Sequence, residues 1–556
     1  MQLPANPVKS YVLLVLLCSV LYGAGLTTLP ATDRDEARFA QATRQMFESR
    51  DFVRIRFQDQ PRHKKPIGIY WLQAAAVAAT DMIGTNQIWP YRIPSLLGAT
   101  LAALLTAALG KMLFDAHTAR LAGLLLGSSL LLTVEAHLAK TDAMLLATIV
   151  VAQGSLGHLY VQAQRGQGAG IGTALAFWIA QGVGILLKGP IAPLVSLLTI
   201  GALWAADRKA GWLKGLRCSW GIPLACLMAC PWFIAVGLAT HGAFFGDALR
   251  NDLLPKLVSG HESHGFPPGY YALLMPITFW PASLFAGFAL HQAWKHRALA
   301  GERFCLAWIV PAWLLFELIP SKLPHYILPV YPALALLSAR WVLAGSSDAL
   351  PVWGSWLARV TLFAWSCIGI AMAIGIVALP WVLEGRLAPV TLWPALAALF
   401  AALAPVWSMT RGRTRAAAAM AVLGAVLVFA PLLQTVLPSL DALWLSRSVA
   451  RAVEAYAPPG ERSQKLVVSC GYQEPSLVFL LGTETKFIPP DLAARYLAEH
   501  PETLALTANK TDAEFRRQLA ELDHEPRKLA TIRGINYSKG RWDTLTLYAP
   551  QPAPAR

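Results

Sequence analysis

DRDEARFAQATRQMFESRDFVRIRFQDQPRHKKPIGIYW, residues Asp33 to Trp71, is the densest charged run in a chain that is 55% hydrophobic and 14% charged. It follows directly on an apolar segment near residues 10–29, so it lies where that segment leaves a membrane. Asp33, Asp35 and Glu36 open a short amphipathic helix, with helical period from Ala40 to Phe47. The far end carries Arg62, His63, Lys64 and Lys65, then Pro66 and an aromatic-rich turn. Carboxylates and cations held together at a membrane surface suit a reaction on a lipid-linked anion. An interfacial loop whose acids and bases merely balance carries the same charges.

Outward from this stretch, apolar runs of about 18 to 25 residues recur along most of the 556 residues, which excludes a soluble enzyme. The mean hydropathy is +0.46. About thirteen spans are expected, near 10–29, 91–113, 118–137, 141–161, 170–188, 190–206, 218–240, 269–291, 303–320, 325–344, 353–380, 390–408 and 415–438. In lipid the backbone must satisfy its own hydrogen bonds, so these are helices. The expected class is a polytopic α-helical membrane protein.

The excess of 47 Lys+Arg over 32 Asp+Glu does not point to nucleic acid, because its distribution sets topology. With the N-terminus in the cytoplasm, the inside loops collect Lys111, Arg120 and Arg165, then Arg208, Lys209, Lys214 and Arg217. Lys295, Arg297 and Arg303 follow, then Arg411, Arg413 and Arg415. Thirteen spans then place the C-terminus outside. Lys9 precedes the first apolar run, but no good small-residue cleavage site follows, so a removed signal peptide is not expected. Six of the seven cysteines fall in or near apolar runs and Cys470 stands alone, so no disulfide framework is expected.

Residues 30–90 form the first outside loop, long enough for two or three helices lying on the membrane, with Ile67 to Met82 lying in the interface or dipping inward and not counted as a span. The next polar stretch is TVEAHLAKTDAML (Thr133–Leu145), where Glu135, His137, Lys140 and Asp142 sit in a short apolar hairpin. Ionisable groups at membrane depth face a partner or a watery cavity, or the hairpin tip simply touches solvent. Asp142 begins an apolar helix, where a carboxylate can cap free N–H groups. Lys188 breaks another apolar run at a Gly-Pro turn, to snorkel to head groups or to face an anionic ligand. A second outside loop after Thr240 offers Arg250, whose planar fork suits phosphate, and the cluster His261, Glu262 and His264. That cluster fits no strong metal motif; substrate hydrogen bonds or a solvated loop are expected, and any metal would sit there. Pro320–Tyr331, PSKLPHYILPVY, directs Lys322, His325 and Tyr326 toward the same outer cavity.

After Ser439 the composition turns soluble. KLVVSCGY, SLVFLLG, TKFIPP, TLALTANK and DTLTLYAP read as strands, and the segments near Ala450–Tyr456, Leu492–His500 and Asp512–Leu522 as helices. The expected division is a membrane domain over 1–440, including the 30–90 loop, and a small outside α/β domain over 441–556.

The acidic pair after the first span, the amphipathic helix, KKPIGIYW (Lys64–Trp71) and SKLPHYILPVYP (Ser321–Pro332) together resemble bacterial GT-C glycosyltransferases. The likeness is to the lipid A 4-amino-4-deoxy-L-arabinose transferase branch, related to protein O-mannosyltransferases. It covers the whole chain in the order and sidedness of its parts. It implies a GT-C fold, an undecaprenyl phosphate-linked sugar donor and catalysis at the periplasmic face of the bacterial inner membrane. By position it implies catalytic roles for Asp35, followed by Glu36, and for Asp142. Lys65 and Arg250 become donor-phosphate ligands, with Lys188 and Lys64 beside them, and Tyr326 matches the tyrosine of PxYxLP. Arg62, His63, His325, Lys322, His261 and His264 are the remaining substrate-side candidates. Where that branch commonly has Tyr-Phe-Glu-Lys-Pro, this chain has Arg62-His63-Lys64-Lys65-Pro66. The carboxylate able to hold a metal is therefore replaced by Lys64, and no cofactor is required, although a divalent metal stays open. The expected function is transfer of aminoarabinose, or a related amino sugar, pentose or hexose, to lipid A phosphate by a monomer among membrane lipids. The alternatives are the same chemistry on a protein or another glycan and, from a different class, a lipid flippase. A flippase calls for charges near the midplane and half-repeats, whereas the ionisable residues here lie at span ends.

Overall fold

The computed structural model describes residues 7–253, 265–344, 356–456 and 466–550. Eight of its helices are long and apolar enough to cross a membrane, or up to ten if each of two bent pairs is one span. The chain is a multi-pass membrane protein. Fewer straight spans form than the thirteen apolar runs predict, for local reasons. Pro7–Gly23 and Ile191–Asp207 are helices of only 17 residues. The run expected at 118–137 is broken into Ala116–Gly127 and Leu130–Ala136, bent by 63°. There the hydroxyls of Ser128 and Ser129 bond back to the carbonyls of Leu124 and Leu126, and Leu130 N–H donates to the Trp280 carbonyl. The break is thus satisfied within protein rather than exposed to lipid. The run expected at 269–291 divides into Tyr270–Thr278 and Ser283–Lys295 around Pro281, which has no N–H to continue the ladder.

Small residues let the spans approach closely, as membrane packing requires. Trp89–Leu113 buries Ala99, Ala102, Ala103, Thr106, Ala107 and Gly110 on one face and leaves Leu97 and Leu101 exposed. A Cβ at Gly98 would stand 2.6 Å from Met144 Cα, so this crossing sets how near the helix of Asp142–Gln164 can lie.

The 30–90 loop folds into the helix Asp35–Ser49, a two-residue hairpin of β1 (Arg56–Phe57) and β2 (Gln60–Pro61), and the helix Gly68–Ala79. At twelve residues the last is too short to span. The rings of Phe39 and Tyr70, 5.2 Å apart, join the two helices.

The C-terminal unit is a five-stranded sheet of order β4-β3-β5-β7-β6. Its strands are β3 (Val467–Cys470), β4 (Lys486–Phe487), β5 (Leu504–Ala508), β6 (Pro526–Asn536) and β7 (Arg541–Pro550). Helices Leu445–Tyr456, Pro490–Glu499 and Asp512–Glu521 follow the predicted helical segments. SLVFLLG, expected as a strand, is instead the helix Pro475–Leu481. Proline at its first turn suits a helix start, and it is apolar all round because both faces are covered. Leu477 packs with Leu445 and Val449 beneath the sheet, while Phe479 packs with Ala37, Ala40 and Tyr91 of the membrane part. β6 was not anticipated, because its edge position leaves Arg527, Lys528 and Arg533 without the alternation of a half-buried strand.

Candidate active site

A buried ion pair fixes the start of the Asp35–Ser49 helix. The side chains of Glu36 and Arg92 are each 1% exposed. Arg92 donates from Nε and Nη2 to the Glu36 carboxylate at 2.8 and 2.9 Å. Its other N–H groups reach the carbonyls of Leu26, Leu29 and Pro30. Glu36 also accepts from the backbone N–H groups of Thr32 at 2.8 Å and Ala139 at 2.9 Å. Burial alone would raise its pKa; Arg92 and these N–H groups outweigh that and hold it below the usual glutamate value. Glu36, expected as a catalytic carboxylate, is therefore a clamp. It joins the 30–90 loop to the span of Arg92 and to the turn before Lys140. Its partner was missed, although an arginine opening an apolar run is itself a signal of such a pairing.

Beside the clamp lies a cluster of opposite charges. Lys140 Nζ stands 2.8 Å from Glu135 Oε1, 3.7 Å from Asp142 Oδ2 and 3.4 Å from His325 Nδ1. His325 Nε2 is 3.8 Å from Asp142 Oδ2, and Lys188 donates to Asp142 Oδ1. Burial works against a charged Lys140, but Glu135 and Asp142, with Asp35 further off, keep its pKa above the usual lysine value. Asp142 is not the expected cap: it is the first helical residue after Thr141, and its carboxylate engages the two lysines instead. The first turn still favours negative charge there.

Asp142, Lys188 and His325 form part of the wall of a cavity of about 670 Å³, together with Lys64, Lys65 and Tyr326. The rest is mainly apolar, from Leu145, Leu146, Ile191, Leu194, Phe233, Phe244, Phe245, Phe316 and Leu328. The Lys188 ammonium lies 5.2 Å from the Tyr326 ring centroid. Three lysines in the wall of an otherwise largely apolar chamber suit a ligand with a hydrocarbon body and an anionic head.

The remaining predicted residues distribute around this cavity. Asp35 opens its helix with a side chain 55% exposed, 3.9 Å from Arg62 Nη2. It is outside the cavity wall, on the Lys140 side of the cluster. Arg62 is buried over the Phe39 ring and donates to Tyr70 Oη at 3.3 Å, so it braces Asp35 rather than lining the cavity. His63 Nδ1 lies 2.9 Å from Asp247 Oδ2, with its ring edge-on to Phe244. That contact holds the segment carrying the Phe244–Leu249 wall. Arg250 lies exposed on the π-helical turn Ala248–Leu253 and does not line the cavity with Lys65. Lys322, expected to face the cavity, is buried and donates instead to the carbonyls of Phe266 and Ile319, both at 2.8 Å. His261, Glu262 and His264 lie outside the described residues. Among the described residues no group of three His, Cys, Asp or Glu is arranged for a metal.

Residues 65–242 match the family model for dolichyl-phosphate-mannose-protein mannosyltransferase. The chain is 29% identical over 353 residues to the undecaprenyl phosphate-alpha-4-amino-4-deoxy-L-arabinose arabinosyl transferase of Enterobacter sp. (strain 638), covering 62% of this chain and 61% of that protein. It is 27% identical over 376 residues to the protein so named from Pectobacterium carotovorum subsp. carotovorum (strain PC1), covering 67% and 65%. These matches thus span under two thirds of each relative's length. Among solved structures, ArnT from Cupriavidus metallidurans bound to undecaprenyl phosphate aligns with TM-score 0.73 and 19% identity, over 96% of this chain and 97% of that one. The oligosaccharyltransferase AglB from Archaeoglobus fulgidus aligns with TM-score 0.53 and 11% identity, over 99% and 75%. Likenesses at these identities speak for the fold. The chain has a GT-C membrane fold with a small C-terminal sheet domain, and resembles the undecaprenyl phosphate-aminoarabinose arabinosyl transferases in sequence and architecture.

Proposed function

We propose that this protein transfers a sugar, aminoarabinose or a related amino sugar, pentose or hexose, from undecaprenyl phosphate to a phosphate of lipid A. The proposed location is the periplasmic face of the bacterial inner membrane. The N-terminus is then cytoplasmic and the 441–556 domain periplasmic, above a catalytic membrane domain over 1–440. The observation that carries the proposal is the largely apolar cavity whose wall includes Lys64, Lys65 and Lys188. The isoprenoid chain occupies the apolar part and the phosphate meets the ammonium groups. The bond from the sugar's anomeric carbon to the donor phosphate oxygen breaks as an acceptor phosphate oxygen attacks. Both electrons stay on the leaving undecaprenyl phosphate, whose growing charge the lysines stabilise. That leaving group needs no protein acid. Asp142 holds Lys188 and Lys140 in place, and Asp35 orients the acceptor and stabilises positive charge developing on the sugar. A phosphate acceptor, with a second pKa of about 6, is already ionised near neutral pH, so Asp35 need not take a proton. The match at 65–242 to a protein mannosyltransferase model favours a second reading, a hydroxyl acceptor on protein or glycan, for which Asp35 must act as general base.

Native mass spectrometry of the purified chain with undecaprenyl phosphate tests the cavity. One lipid bound to wild type and lost from Lys65→Ala/Lys188→Ala supports the reading. Equal binding to both proteins removes it.

A further inference from the structure

Arg34, immediately before Asp35, has φ +64° and ψ −114°, a backbone region that non-glycine residues rarely occupy. The Arg34 side chain makes no capping hydrogen bond to the helix. From within the helix, Glu36 accepts the Thr32 N–H, and the contacts to residues 33 and 34 themselves come from the C-terminal domain. Asp33 N–H donates to Tyr537 Oη at 2.7 Å, the Arg34 guanidinium donates to the Ser538 carbonyl, and Ser476 Oγ donates to the Asp33 carboxylate. On the other side of Asp35, the Glu36 clamp supplies the opposing anchor. The carboxylate between them is exposed but stands on a backbone gripped from both sides.

We infer that the C-terminal domain is a positioning part of the active centre: Ser476, Tyr537 and Ser538 hold residues 33 and 34 and so set the direction of the Asp35 carboxylate. This rests on the assignment of Asp35 to the reacting site. The same domain also docks further along the helix, where Gln41 Nε2 donates to Thr483 Oγ1 at 2.7 Å. Docking in general and positioning of Asp35 are therefore separable by mutation.

The test uses the full-length protein in detergent, with amide hydrogen exchange across residues 33–39, transfer kinetics from undecaprenyl phosphate-aminoarabinose to lipid A, and donor binding. Tyr537→Phe and Ser476→Ala each remove one grip on residue 33; Gln41→Ala removes a docking contact six residues beyond Asp35. The expected result is faster exchange at 33–39 and a kcat about tenfold lower in the first two variants, with donor affinity unchanged and Gln41→Ala like wild type. Unchanged exchange at 33–39 in both variants overturns the inference, whatever the activity. So does full turnover despite loosened exchange, or an equal kcat loss in Gln41→Ala. Asp35→Asn is run alongside. If it retains turnover, or wild type transfers nothing, the parent assignment fails, and exchange still decides whether the domain holds the turn.

Discussion

Replacing Glu36 by alanine removes the carboxylate from a site where it accepts two hydrogen bonds from Arg92 and two from the backbone N–H groups of Thr32 and Ala139. Arg92 stays buried, with only the carbonyls of Leu26, Leu29 and Pro30 as partners. Breaking a buried pair from one side leaves an uncompensated charge and costs about 3–5 kcal/mol. Against a typical net stability of about 5–15 kcal/mol this is a large fraction. Glu36→Gln keeps the volume and an acceptor oxygen but turns an NH2 group toward donors, and should fall between the two. Thermal unfolding in mild detergent, followed by tryptophan fluorescence, should rank wild type above Glu36→Gln and Glu36→Ala lowest. The pH dependence has a definite sign. The folded-state pKa is depressed from the usual 4.5, so the stabilisation is complete above that value and is lost as pH falls through the lower folded-state value. A Glu36→Ala variant that melts with wild type would refute the clamp. A Glu36→Gln variant that melts like wild type yet loses all turnover would return Glu36 to the reacting groups.

Three further outcomes follow from the same geometry. Lys65→Ala and Lys188→Ala each remove an ammonium from the cavity. If a charge-assisted hydrogen bond to the donor phosphate is lost, at about 1.5–3 kcal/mol, affinity for undecaprenyl phosphate should fall roughly 10- to 150-fold in titrations. Asp33 is pushed up to about 7, chiefly by burial, with Glu474 adding to the shift and the hydroxyls of Ser476 and Tyr537 opposing it. A carboxyl raised in the folded state is most stabilising when protonated, so docking of the C-terminal domain weakens as pH rises from about 4 through 7. Asp33→Asn should flatten that dependence in melts between pH 5 and 8, and an unchanged slope would count against it. Gly98→Val drives a side chain into the Met144 backbone beside Asp142, and should lower both melting temperature and turnover relative to a lipid-facing control, Leu101→Val.

The membrane character, the 30–90 helices and most of the C-terminal elements were legible because apolar length and period report directly on burial. The breaks at Ser128–Ser129 and Phe279–Ala282 were not, since a carbonyl of one break satisfies an N–H of the other across the fold. Within the site, Lys64, Lys65, Asp142, Lys188, His325 and Tyr326 were all singled out in sequence, and the structure gathers them on one cavity. Charges in apolar surroundings are few enough that each draws notice. What sequence could not assign was partnership. Glu36 and Lys322 look as available as Asp35 and Lys65 until Arg92 and the carbonyls of Phe266 and Ile319 are placed beside them. Nor does sequence link Asp33 to Tyr537, 504 residues away.

The most direct test of the proposed reaction is mass spectrometry of lipid A from cells lacking the protein, carrying it, and carrying Asp35→Asn. A sugar-sized mass on lipid A that requires both the protein and the Asp35 carboxylate is the predicted result. Unmodified lipid A in all three, or the same added mass with Asp35→Asn as with wild type, would contradict it.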